Sequence, residues 1–194
     1  DQVLATYAFY KCFIDDKSAV INYAEWIATF IEKFSSRIRV TLIDVNNTFV
    51  YYHIRDLVLP HLNEVIKQIK SDEELYAFYN LFWFYKGRDC LLYLKKWIEN
   101  LPQEEYPETL KFSYVHNDHT YATKHFELLK SFWNHPNELF KPSLELTLAL
   151  LNKQPSRLPE ILKFIHEDFK YKLEDREHGY LRQNLLLDIL LDDK

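Results

Sequence analysis

Hydrophobic positions recur at helical spacing along most of the chain. From Ser18 to Phe34, the residues Val20, Ala24, Ile27, Ile31 and Phe34 fall at alternating steps of four and three. Those steps place them on one face of a helix, which Tyr23 and Phe30 widen and Asp16 or Ser18 caps. Arg37 to Leu42 alternates instead, and without a second strand to pair with it reads as an extended connector. Helical spacing returns from Val45 through Phe49, Tyr52 and Leu57, and Pro60 is expected to kink or restart the segment because it removes a backbone donor. Leu62, Ile66 and Ile69 continue it.

Ser71-Asp-Glu-Glu74 has the spacing of a capping box. The helix behind it carries Leu75, Phe78, Tyr79, Phe82 and Tyr85 on one face, with Leu81, Trp83 and Phe84 elsewhere. A helix apolar nearly all round is a buried one. Lys86-Gly87 reads as its glycine stop. Leu91, Leu94, Ile98 and Leu101 predict the next helix, closed by Pro102. After it, Asp118 is placed to cap a helix with Tyr121, His125, Leu128 and Phe132 in register, broken at Asn134-His-Pro. Leu144, Leu148 and Leu151 mark another. Ser156 is placed to cap one with Leu158, Ile161, Ile165 and Phe169 inward and Pro159 in the first turn. The last begins near Gly179 with Leu181 and Leu185.

This pattern predicts an all-α fold of antiparallel helix hairpins, arranged as a short irregular solenoid of the HEAT or TPR kind or as a bundle. Residues 1–101 form an N-terminal helical segment, 102–117 the best candidate linker, with two prolines and several glutamates, and 118–194 a C-terminal helical segment; the whole is expected to be one continuous helical unit. No fixed 34- or 40-residue signature recurs.

Composition then narrows the function. Two glycines in 194 residues leave no P-loop and no GxGxxG, which excludes the usual nucleotide-binding turns. A net charge of −5 with no basic run argues against a nucleic-acid footprint. No apolar stretch is long enough for a transmembrane helix. The opening residues lack the basic and small-residue features of a signal peptide. Cys12 and Cys90 form no CxxC pair, which fits two thiols in a reducing cytoplasm. The absence of Met, the opening Asp and a leucine-rich end without a stop signal lead to the expectation of a segment of a larger protein; the alternative is that methionines are missing from the sequence as written.

His116, Asp118, His119 and His125 are the densest set of metal-ligand types, but their spacing is no known signature, and neither metal nor cofactor is expected. Paired acids such as Glu104-Glu105 and Asp72-Glu73-Glu74 lie in caps and linkers, where the helix dipole explains them. No general base is placed to pair with either cysteine. Arg55 and His61 match the loose Arg-x(4–6)-His pattern of helical HEPN ribonucleases, in which the two groups meet across a dimer to cleave RNA. With this Arg and His content, about one such match arises by chance.

Aromatic residues are abundant, at 14 Tyr, 14 Phe and four Trp. Most fall on core stripes. Trp133, Tyr171 and Tyr180 fall near helix ends and are the candidates for protein-binding anchors. Leu144 to Leu151, Leu158 to Phe164 and His178 to Leu185, with Cys90 to Ile98 more weakly, resemble the helical arms of large bacterial STAND-type P-loop NTPases. That resemblance implies a solenoid arm that senses a target or holds an assembly, with nucleotide chemistry in a separate domain; Gly179, Tyr180 and Gln183 match its pattern. The expected function is a non-catalytic scaffold or protein-recognition segment, acting through a protein partner or self-association, with no nucleic acid and no membrane. The alternatives are a HEPN-like ribonuclease using Arg55 and His61, and a small-molecule-binding bundle with an aromatic pocket around Trp83 and Phe84.

Overall fold

The computed structural model describes residues 2–15, 17, 23–109, 123–134, 138–177 and 179–192. Among them the chain forms ten α-helices, a π-turn, two 3-10 turns and no strand, so the fold is all-α and built of helix hairpins. It divides into two compact units, residues 1–86 and 87–194. The break therefore falls in the short turn at Lys86-Gly87 and not in the proline-containing stretch 102–117. The described part of that stretch is pinned: the Glu104 N–H donates to the Lys153 carbonyl at 2.9 Å and Gln103 Nε2 to that of Asn152 at 2.8 Å. Ser156 Oγ completes the tie on Glu104 Oε2 at 2.6 Å.

The first unit holds α1 (Gln2–Phe9), a π-turn (Tyr10–Ile14), α2 (Tyr23–Thr48), α3 (Tyr51–Gln68) and α4 (Asp72–Phe82). Arg37 to Leu42, expected as an extended connector, lies inside α2. Ile38, Leu42 and Val45 are buried at i, i+4 and i+7, whereas Val40 and Ile43 are exposed. The alternation of Ile38 and Leu42 is equally a helical pair, and α3 supplies the apolar surface to receive it with Ile54, Val58, Leu62 and Val65. Pro60 neither breaks nor restarts α3, which runs through it on its exposed side. The true boundary is Phe49-Val50, and Tyr52, expected inside, is exposed. Within α2 the backbone leaves helical geometry at Phe34 (φ −129°, ψ 22°). Phe30, one turn earlier, and Phe34 itself are exposed rather than buried; Val20 and the side chains of Ala24, Ile27 and Ile31 lie outside the described residues, as do Asp16 and Ser18.

The Ser71 half of the capping box forms, the Glu74 N–H donating to Ser71 Oγ at 3.2 Å; the Glu74 carboxylate reaches one residue further, accepting from the Lys70 N–H at 3.0 Å instead of from Ser71. Phe78, Tyr79, Leu81 and Phe82 of α4 are buried, and Tyr85 Oη donates to Asn46 Oδ1 at 2.7 Å to tie the end of α4 to α2.

The second unit holds α5 (Gly87–Asn100), α6 (Lys124–Lys130), α7 (Phe140–Lys153), α8 (Leu158–Phe169), α9 (Leu173–Glu177) and α10 (Leu181–Asp192). Gly87 opens α5 rather than stopping α4. Its backbone is not left-handed; a Cβ there would collide with the Leu139 Cδ1 methyl and touch Phe132, so the glycine serves close packing. Leu91, Leu94 and Ile98 are buried as spaced. In α7 the buried face is Phe140, Ser143, Leu144, Thr147 and Leu150, one step away from the expected Leu148 and Leu151. Ser143 and Thr147 fit inside because each hydroxyl donates back to a carbonyl of its own helix, Phe140 at 2.6 Å and Ser143 at 2.9 Å.

Trp133 sits at the centre of this core. The run after α6 continues as a 3-10 turn, Ser131–Asn134, which carries the indole inward to 0% exposure. Its ring meets Phe126 and Phe169 edge-on at centroid distances of 5.8 and 5.7 Å. The expected surface anchor is thus a core residue.

Ser71→Ala is expected to lower stability by about 1 kcal/mol in urea denaturation, the ordinary worth of a lost N-cap. Trp133→Ala is expected to lower it by about 3–5 kcal/mol, the range for truncating a buried aromatic; a loss under 1 kcal/mol would contradict the core placement.

Candidate functional site

The candidate protein-binding residues Tyr171, Tyr180 and Gln183 come together in the turn that links α8, α9 and α10. Hydrogen bonds brace this turn from within, and its outer surface is exposed. Phe169, the last residue of α8, is buried against Trp133 and Phe140. The chain then turns into α9, where Asp175 takes the role that Glu has in a capping box: its Oδ2 accepts from the Lys172 N–H at 2.8 Å. At the other end of α9 the Tyr180 N–H donates to the Asp175 carbonyl at 2.8 Å and the Gly179 N–H to that of Arg176 at 3.3 Å. Those two bonds are the Schellman closure, and Gly179 adopts the left-handed conformation it requires, at φ +63°.

Tyr180 follows at φ +56°, a region that L-residues with a Cβ occupy at a penalty of about 1 kcal/mol or more. What holds it there is the start of α10. The Tyr180 carbonyl accepts from the Asn184 N–H at 2.9 Å, and Asn184 Nδ2 reaches the Gly179 carbonyl at 3.2 Å. Arg182, buried, donates from Nη2 to the Asp168 carbonyl at 2.8 Å, with its guanidinium over the Phe169 ring at 5.1 Å. Gln183 Nε2 lies 3.0 Å from Asp175 Oδ2 and 3.3 Å from the Phe169 carbonyl. Gln183 is therefore a bracket that holds the turn from within and offers no amide to a partner.

The Lys172 N–H, then the Gln183 amide and the charge of Arg182, stabilise the ionised Asp175 and hold its carboxyl below the usual aspartate value, against the opposing effect of burial. Outside this bracket stands an apolar surface. Tyr171, Tyr180 and Leu181 are exposed, Leu173 is 80% exposed, and the two tyrosine rings lie 6.3 Å apart. Leu181, expected on the stripe of the last helix, is exposed instead, and Leu173, which no stripe placed, is likewise on the surface of this turn. Asp175 carries no such signal, because Lys172-Leu-Glu-Asp175 lacks the Ser or Thr that begins a capping box.

The other candidates are placed as follows. Arg55 and His61 both stand on α3, six positions apart. That is about 9 Å along the axis and roughly 120° around it, so they do not converge within one copy. His125 is buried in the second unit, stacked on Trp97 at 4.6 Å with its Nε2 2.8 Å from Tyr93 Oη, a satisfied core histidine. His116, Asp118 and His119 lie outside the described residues. Among the described residues no group of three or more His, Cys, Asp or Glu side chains is placed to hold a metal ion. Burial, with a smaller contribution from Asp89, pushes the Cys90 thiol far up, which makes it a poor nucleophile. Trp83 and Phe84, the expected pocket pair, are half-buried and meet edge-to-face at 6.0 Å. A groove of about 320 Å³ in the first unit is lined by other aromatics, Phe9, Trp26, Phe30 and Phe34. No helix among the described residues is long and apolar enough to cross a membrane.

No protein-family model, curated protein or solved structure matches this chain.

Because the Asp175 carboxyl is held below its ordinary value in the fold, its contribution to stability is complete above the usual aspartate range and vanishes as pH falls through the lowered value. The stability difference between the wild type and Asp175→Asn is therefore expected to be largest near neutral pH and to shrink on acidification below about pH 4. Urea denaturation across that range checks it; a difference independent of pH would show that the carboxylate charge is not what the turn uses.

Proposed function

We propose that the chain is a non-catalytic helical recognition module whose α8–α9–α10 turn docks a protein partner. The observation that carries this reading is the exposed cluster of Tyr171, Leu173, Tyr180 and Leu181 on a backbone bracketed by Asp175, Arg182 and Gln183. Aromatic rings on a preorganised backbone lose little entropy on binding, which is why Tyr is enriched among interface anchors. The strain at Tyr180 supports the same reading. A left-handed position next to Gly179 is more easily filled by Gly or Asn, and a tyrosine held there fits selection for what its ring does. The setting that suits this module is the cytoplasmic arm of a larger assembly, as the likeness to STAND-type helical arms implies.

The test compares proteins captured by the wild-type chain with those captured by Tyr171→Ala/Tyr180→Ala, using Tyr52→Ala, another exposed tyrosine, as control. A partner retained by the control and weakened at least tenfold by the double variant is the expected result, equivalent to about 1.4 kcal/mol or more. Tyr180→Gly separates binding from folding: relief of the left-handed strain keeps its stability within about 1 kcal/mol of wild type while the partner is lost. Capture unchanged in the double variant would remove the patch as a docking site.

A further inference from the structure

A second surface of the 87–194 unit has the form of a helix receptor. Residues 88, 91, 92 and 95 of α5 lie at helical spacing along one wall of a groove of about 670 Å³. Leu139, Pro142 and Leu146 of the α7 segment lie along the other. The floor is apolar, and Leu92 is 59% exposed within it. The rims carry opposite charge: Arg88 and Lys95, two turns apart, on the α5 side, and Glu138 and Glu145, with the same separation, on the α7 side. The Arg88 guanidinium meets Glu138 Oε2 at 2.9 Å, and both side chains are largely exposed. Lys95 makes an exposed contact with Glu99 on its own helix, at 3.9 Å. Two helices with an apolar trough between them accept a third that presents an apolar stripe at helical spacing.

The same chain presents such a helix. α10 packs on α7 with Arg182 and Ile189 buried, one face of the helix. On the opposite face Leu187, Leu190 and Leu191 are exposed at i, i+3 and i+4. The polar edge beside them carries Asn184 and Asp188, both exposed. Because its other face is already committed to α7, α10 cannot turn this leucine stripe into the groove of its own copy.

We infer that the leucine stripe of α10 in one copy docks into the α5–α7 groove of a second copy of this chain. Charge sets the direction: the Asp188 edge lies along the Arg88–Lys95 rim, since the Glu138–Glu145 rim would repel it. The contact is heterologous, so two copies either exchange it reciprocally or propagate it. It is separate from the Tyr171–Tyr180 patch and stands or falls independently of that reading.

The test is complementation, read by sedimentation velocity of the whole chain. The wild type is expected to show a mass that rises with concentration above the 23.6 kDa of one chain. Leu92→Glu, with a blocked groove and an intact stripe, and Leu187→Glu, with a blocked stripe and an intact groove, are each expected to be monomeric. Their equimolar mixture is expected to give a species of twice the chain mass. Circular dichroism confirms that each variant keeps its helices; Leu92→Gln and Leu187→Gln replace any that does not. A monomeric wild type overturns the proposal. So does association of Leu92→Glu alone, which would mean stripe against stripe, of Leu187→Glu alone, which would mean groove against groove, or a mixture that stays monomeric. Loss of self-association in these variants with partner capture at Tyr171 and Tyr180 intact is the pattern expected if both readings hold.

Discussion

The edge-on contact between Trp133 and Phe169 is the point on which the second unit turns. Trp133 is buried in a short 3-10 turn and Phe169 is the last residue of α8, so one contact joins the interior to the start of the exposed turn. Phe140 and Phe126 complete the cluster around them. Arg182 then covers the outer face of Phe169 and bonds the Asp168 carbonyl. The guanidinium is held there by the ring it lies over and by the Nη2 bond to the backbone carbonyl, while its buried Nε has no hydrogen-bond partner among the described residues. The tyrosine surface is therefore seated on the core, and its geometry follows from core packing rather than from the loop's own preferences.

The turn itself shows how a chain with two glycines manages a sharp reversal. Gly179 supplies one left-handed residue, as a Schellman closure needs. The second left-handed position falls on a tyrosine, and the surrounding hydrogen bonds over-determine it. Gly87 works differently. It is used for space, where Leu139 and Phe132 press on the first turn of α5. The same residue type thus meets two distinct demands, one conformational and one steric, and only the first has a sequence signature.

Much of the helical content was legible because burial on one face imposes a 3.6-residue period that few other constraints imitate. The Ser71 cap, the α5 stripe of Leu91, Leu94 and Ile98, and the inward Ile161 and Phe169 of α8 all appear as spaced. Legibility failed where two periods coincide or where a breaker is exposed. Ile38 and Leu42 fit a strand and a helix equally, and only the presence of α3 decides between them. Pro60 sits on the outer side of α3, which accommodates it without a boundary. The register of α7 was misread because Ser143 and Thr147, polar by type, are the residues that face inward.

Sequence alone determined the class of the fold, the positions of most helices, and the absence of glycine-rich phosphate loops, since each depends on local spacing or residue identity. Tertiary structure alone decided which aromatic is an anchor and which is core. Trp133 and Tyr180 both stand beside a break in a helical pattern, yet one indole is wholly enclosed and one phenol faces outward. That difference is set by what packs from residues far along the chain: Phe169 lies 36 positions from Trp133, and no local period encodes a contact across such a span.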